Sequence, residues 1–82
     1  MGTIEKLIKR FSNKPKDFTF SELKRMLNHF GYVQAEGSGS RVVFENETTG
    51  HKMKLHKPHP GKILKRYQID YIEVELKTKG LL

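Results

Sequence analysis

Tyr67-Gln68-Ile69-Asp70-Tyr71-Ile72-Glu73-Val74-Glu75-Leu76 is the segment on which the fold turns, because it satisfies two periodicities at once. Ile69, Ile72 and Leu76 recur at helical spacing. Ile72, Val74 and Leu76, alternating with Glu73 and Glu75, fit a strand equally well. The length of the segment and the stop at Gly80 favour the helix. With a helix at this end, the elements upstream assemble into an α+β domain.

Ile4, Leu7, Ile8 and Phe11 repeat at i, i+3, i+4, i+7 and predict an amphipathic helix that Asn13-Lys14-Pro15 ends. Residues 14–20 form a connector that Phe18 and Phe20 anchor to the core. Ser21 is the expected N-cap of a second helix, with Glu22 at the positive end of its dipole. Leu23, Met26, Leu27 and Phe30 make its apolar stripe, and Gly31 occupies the C′ position. Tyr32–Ala35 is a short strand. Gly37-Ser38-Gly39-Ser40 is a turn. Arg41–Glu45, with Val42 and Phe44 inward, pairs with Lys52–Leu55 across a turn at Asn46–Gly50. Pro58, Pro60 and Gly61 bar regular structure from the next loop. The expected fold is therefore a three-stranded antiparallel sheet with helices packed on one face.

Eighty-two residues make one domain, and a chain of this size buries only about 60–65% of the surface its unfolded form exposes. No apolar run is long enough for a transmembrane helix. Glu5, Lys6, Lys9 and Arg10 interrupt any signal-peptide core. The absence of cysteine excludes a disulfide scaffold, a CxxC redox site and a cysteine-based zinc site, and fits a cytoplasmic setting. The first helix is basic and amphipathic, but its short apolar face is needed for the core rather than for a membrane surface.

Sixteen basic and nine acidic side chains give a net charge of +7, unevenly spread. Residues 51–66 carry Lys52, Lys54, Lys57, Lys62, Lys65 and Arg66 and no acidic residue, together with His51, His56 and His59. A merely solvated face intersperses both signs. This one does not, so a polyanionic partner is the favoured reading.

Two motifs carry candidate chemistry. Gly37-Ser38-Gly39-Ser40-Arg41 lets the backbone approach a phosphate and offers Arg41 for a bidentate contact, although an ordinary hairpin linker accounts for the same residues. His56-Lys57-Pro58-His59-Pro60-Gly61-Lys62 is stiffened by proline and holds two side chains that exchange protons near neutrality. Such a group suits metal-free RNA cleavage: one residue deprotonates the 2′-hydroxyl, another protonates the 5′-oxygen, and a cation stabilises the phosphorane-like transition state. A loop that only contacts phosphate explains it as well. The spacing of His51, His56 and His59 matches no zinc pattern, and the lysines between them repel a cation, so no metal site is expected. His29 is expected to cap or line the end of the second helix. Few aromatics interrupt the loop, so sequence-specific stacking with single-stranded bases is less expected than shape-read contact with duplex RNA.

Ser21-Glu22-Leu23-Lys24-Arg25-Met26-Leu27, Phe30-Gly31-Tyr32, Gly39-Ser40-Arg41-Val42-Val43-Phe44 and Lys57-Pro58-His59-Pro60-Gly61-Lys62-Ile63-Leu64-Lys65, in this order and spacing, resemble the HicA family of toxins. The resemblance covers roughly residues 20–82. It implies a double-stranded-RNA-binding-domain-like fold, a helical last segment, and residues 1–13 as an N-terminal extension of a 20–82 core. It also implies a ribosome-independent mRNA interferase neutralised by a HicB antitoxin, with no small-molecule cofactor. The family commonly reads Gly-Ser-His, with a presumed catalytic histidine, where this chain has Gly39-Ser40-Arg41. Arginine cannot act as a base. The expectation is therefore that His59, with His56 as second candidate, moves the protons. Arg41, Lys57, Lys62, Lys65 and Arg66 hold the RNA backbone, and Ser40 bonds a phosphate oxygen. The alternatives are a non-catalytic RNA-binding module of the same fold and a basic face that docks an acidic protein, which an antitoxin would also do.

Overall fold

The computed structural model describes residues 2–36, 39–58 and 61–82. The elements run α1 (Thr3–Ser12), α2 (Phe20–His29), β1 (Tyr32–Glu36), β2 (Arg41–Asn46), β3 (Lys52–His56) and α3 (Arg66–Thr78). The strands form one antiparallel sheet in the order β1-β2-β3. This is the α+β arrangement expected from the sequence.

Strand alternation sends Val42, Phe44, Met53 and Leu55 to the helix-facing side, where all are buried. Leu23, Met26 and Leu27 of α2 and Ile69, Ile72 and Leu76 of α3 close over them in one cluster. Leu7 and Phe11 of α1 join the same cluster, and the Phe11 ring meets Phe18 edge-on at 5.3 Å between centroids. The helical period prevails in the last segment because it buries all three of Ile69, Ile72 and Leu76. Val74, which a strand would have turned to the same side as Leu76, is 58% exposed.

The N-cap of α2 is Thr19, two residues before the expected Ser21. Thr19 and Glu22 form a capping box: the Glu22 N–H donates to Thr19 Oγ1 at 3.2 Å, and the Thr19 N–H donates to Glu22 Oε1 at 3.0 Å. Three residues beyond Ser21 stands Lys24, which has no acceptor to return, so the Thr-x-x-Glu pair fixes the start and takes Phe20 into the helix. Thr19→Ala should therefore cost about 1 kcal/mol, read as a lower urea midpoint at unchanged slope. Thr19→Ser should restore most of it.

Gly31 ends α2 with φ +96°, and a Cβ there would stand 3.4 Å from the Asn46 amide nitrogen. That amide is occupied: Asn46 Nδ2 donates to the Phe30 carbonyl at 3.1 Å, and its Oδ1 accepts the Thr48 and Thr49 N–H groups. One buried side chain thus ties the end of α2 to the β2–β3 turn.

The segment after the prolines lies along the connector. The Phe20 N–H donates to the Lys62 carbonyl at 2.9 Å, and the Leu64 N–H to the Phe18 carbonyl at 2.8 Å. Lys14 takes a left-handed conformation (φ +54°) and places its ammonium 3.1 Å from Asp70 and 3.3 Å from Glu73 on α3. The Asp70 and Glu73 carboxylates hold the Lys14 ammonium above its ordinary pKa, and Lys14 holds the Asp70 carboxyl below its own.

Candidate nucleic-acid interface

The helices cover one side of the sheet, so every second strand residue faces outward. The register places Arg41 opposite His56, Val43 opposite Lys54 and Glu45 opposite Lys52 on that outer face. Arg41, Lys52, Lys54 and His56 are all exposed. Glu45 reaches Lys52 only at 3.9 Å. Among the described side chains, which do not include that of Glu36, no carboxylate lies within ion-pair distance of Arg41, Lys54, Lys57, Lys62 or Lys65. Arg41 and Lys54 on this face are therefore held by no described carboxylate and can meet an anion.

The corner where β2 begins and β3 ends brings two sequence motifs together. Ser40 Oγ lies 3.4 Å from His56 Nδ1, and the Ser40 carbonyl accepts the Lys57 N–H at 2.9 Å. Ser40, Arg41, His56 and Lys57 thus share one corner, although 14 positions or more separate the two motifs. Lys65 is joined to this corner through a buried amide. Gln68 Oε1 accepts the Lys65 N–H at 2.9 Å, and Gln68 Nε2 donates to the His56 carbonyl at 2.8 Å. Lys62 is exposed in the loop before α3. Arg66 belongs elsewhere: it bonds Asp70 at 3.4 Å and lines a separate hollow with Lys14, Pro15, Lys16 and Leu64. His59 lies outside the described residues.

His51 immediately precedes β3 and His56 ends it, so five steps of extended chain hold them about 16 Å apart. His51 turns inward instead. Its Nδ1 lies 2.6 Å from the Tyr32 hydroxyl and its Nε2 3.1 Å from Glu75 Oε1, so it bridges β1 to the last turns of α3. Burial first, and the Glu75 charge second, push the Tyr32 hydroxyl pKa upward. This bridge was not anticipated, and no local motif announces it. No group of three histidine, aspartate or glutamate side chains gathers as a metal site among the described residues. His29 lies in the last turn of α2, its ring edge-on to Phe30.

Two further side chains near the corner were missed. Tyr67 and Tyr71 lie one turn apart on α3, 65% and 38% exposed. The Tyr71 hydroxyl accepts the Lys54 N–H at 3.3 Å. Their spacing, off the Ile69, Ile72 and Leu76 stripe, was the available signal.

Fold and interface together define a small α+β module whose sheet presents a cationic outer face. A family model described as HicA toxin of bacterial toxin-antitoxin matches residues 20–81, most of the chain. The protein belongs to the HicA toxin family, and membership in a toxin–antitoxin system implies an antitoxin partner. Neither a curated protein nor a solved structure gave a match. Among the described residues no helix is long and apolar enough to cross a membrane.

Proposed function

We propose that this toxin is a HicA-type mRNA interferase, an endoribonuclease that holds RNA on the outer sheet face and cuts it by histidine acid–base chemistry. The observation that carries the reading is the shared corner of Ser40, Arg41, His56 and Lys57. There a proton-exchanging side chain stands among phosphate-binding groups. In the cleavage step a histidine takes the proton of the 2′-hydroxyl, whose oxygen bonds to phosphorus as the P–O5′ bond breaks. The departing 5′-oxygen receives a proton from the second acid, leaving a 2′,3′-cyclic phosphate and a 5′-hydroxyl. His56 and His59 supply the two roles. Arg41, which stays charged, stabilises the non-bridging oxygens. Lys57, Lys62 and Lys65 hold the flanking phosphates, and Arg66, beside the separate hollow and bonded to Asp70, extends the track. The whole chain acts as one domain in the cytoplasm, with α1 extending the 20–82 core. A HicB-like antitoxin neutralises it by covering the basic face.

No step calls for a metal ion. Purified protein should cut RNA in EDTA and leave cyclic-phosphate ends, and a strict requirement for added divalent cation would refute the mechanism. Arg41, at the position where the family commonly has histidine, favours a second reading: a non-catalytic RNA-binding module. That reading expects growth arrest with bound but uncut RNA.

A further inference from the structure

The open edge of β3 and the outer side of α3 enclose a groove of about 290 Å³ lined by Lys54, Leu55, His56, Tyr67, Gln68 and Tyr71. That volume is just below the range of about 300–1,000 Å³ usual for ligand sites, and suits one flat ring system. Its walls are almost wholly apolar, and no carboxylate lines it. The groove is also built rather than incidental. The Tyr71 hydroxyl is pinned on the Lys54 N–H, which sets its ring across the strand edge. Both ends of the Gln68 amide are taken up by Lys65 and His56, which fixes the floor. Tyr67 stands one turn before Tyr71 with most of its surface in solvent. His56 belongs both to this groove and to the corner with Ser40 and Arg41.

We infer that the groove is a base-stacking subsite for one nucleotide of single-stranded RNA. The base lies against the rings of Tyr67 and Tyr71, and the adjoining phosphate meets His56 and Arg41. Aromatic faces beside unpaired cations are the combination that single-stranded nucleic acid recognises, a π surface for the base and positive charge for the backbone. The inference rests on the RNA reading above. It runs against the expectation that single-strand stacking is the less favoured mode, because α3 supplies the aromatics that the loop lacks.

The test is fluorescence anisotropy with a fully 2′-O-methylated single strand, which has no free 2′-hydroxyl to attack. Base stacking is lost to alanine at about 1–3 kcal/mol, so Tyr67→Ala should weaken binding about 5- to 150-fold. Tyr67→Phe should keep near-native affinity. An abasic nucleotide at the stacked position should cost the native protein a similar factor and the alanine variant almost nothing. Affinity for duplex RNA of equal length should not depend on Tyr67. Tyr67 is exposed, so folding is not at stake. If the native protein binds RNA and Tyr67→Ala binds the single strand equally well, the subsite is wrong and the RNA reading stands. If Tyr67→Ala loses the antitoxin while keeping RNA affinity, the groove belongs to the antitoxin. If neither single nor double strands bind the native protein, both readings fall.

Discussion

His56→Ala should lower single-turnover cleavage of a short RNA by about 10²- to 10⁴-fold, the usual worth of a positioned general acid or base. Binding of the same RNA should change far less, because most of the proposed phosphate contacts come from arginine and lysines. The side chain is exposed at the end of β3 and contributes nothing to the buried cluster, so the variant should unfold at the native urea concentration. Among the described residues its one side-chain hydrogen-bond partner is Ser40, at a long 3.4 Å. The backbone carbonyl that Gln68 grips is unchanged by the substitution. The parallel variant His59→Ala separates the two candidates. A large loss in both assigns acid and base to the pair, and a loss in His59→Ala alone removes His56 from the chemistry. Growth arrest that survives the double substitution would favour the non-catalytic reading.

Phe11→Ala should cost about 3–5 kcal/mol, the range for removing a fully buried aromatic ring. Small domains have only about 5–15 kcal/mol in total, so much of the native state is at stake. Phe11 is fully buried and edge-on to Phe18, and Leu7 is buried one turn before it. The helix is also fastened from outside the core. Arg10 reaches Glu22 at 3.2 Å and Asp17 at 3.1 Å, with its guanidinium 5.5 Å from the centre of the Phe18 ring. The family match begins at Phe20, beyond α1, yet the core does not. Equilibrium urea unfolding measures the effect. A loss under about 0.5 kcal/mol, the level of a surface substitution, would show that α1 is an ornament on a self-sufficient 20–82 core.

Most elements were readable because local rules and burial agree. The stripes Leu7/Phe11, Leu23/Met26/Leu27 and Val42/Phe44 each follow one period, and each is buried as that period requires. Ile69–Leu76 was harder because Val74 fits the strand pattern. Only the tertiary environment, which leaves Val74 in solvent, removes that reading. The start of α2 was misplaced although Thr19-x-x-Glu22 is a legible capping signature. Ser21 is also a good cap, and what separates them is the reciprocal bond that Lys24 cannot make. The corner of the site was legible as two motifs but not as one place, since strand register alone sets Arg41 opposite His56. The His51 bridge was not legible, because its partners lie 19 and 24 positions away. The groove escaped notice for a similar reason: its aromatics sit on a helix and its cations on a strand.

The attachment of α3 bears on when this toxin comes into being during synthesis. Strands β1 to β3 leave the ribosome before the helix that covers them. Until residues 69–76 follow, the inner side of the sheet lacks Ile69, Ile72 and Leu76, Glu75 has not closed on His51, and Gln68 has not tethered the strand end that carries His56. A nascent chain that stops short of α3 therefore carries every phosphate-binding residue proposed for the corner, without the frame that aligns them. The buried cluster closes only with the last helix, so the proposed corner takes its folded geometry only once that helix has emerged.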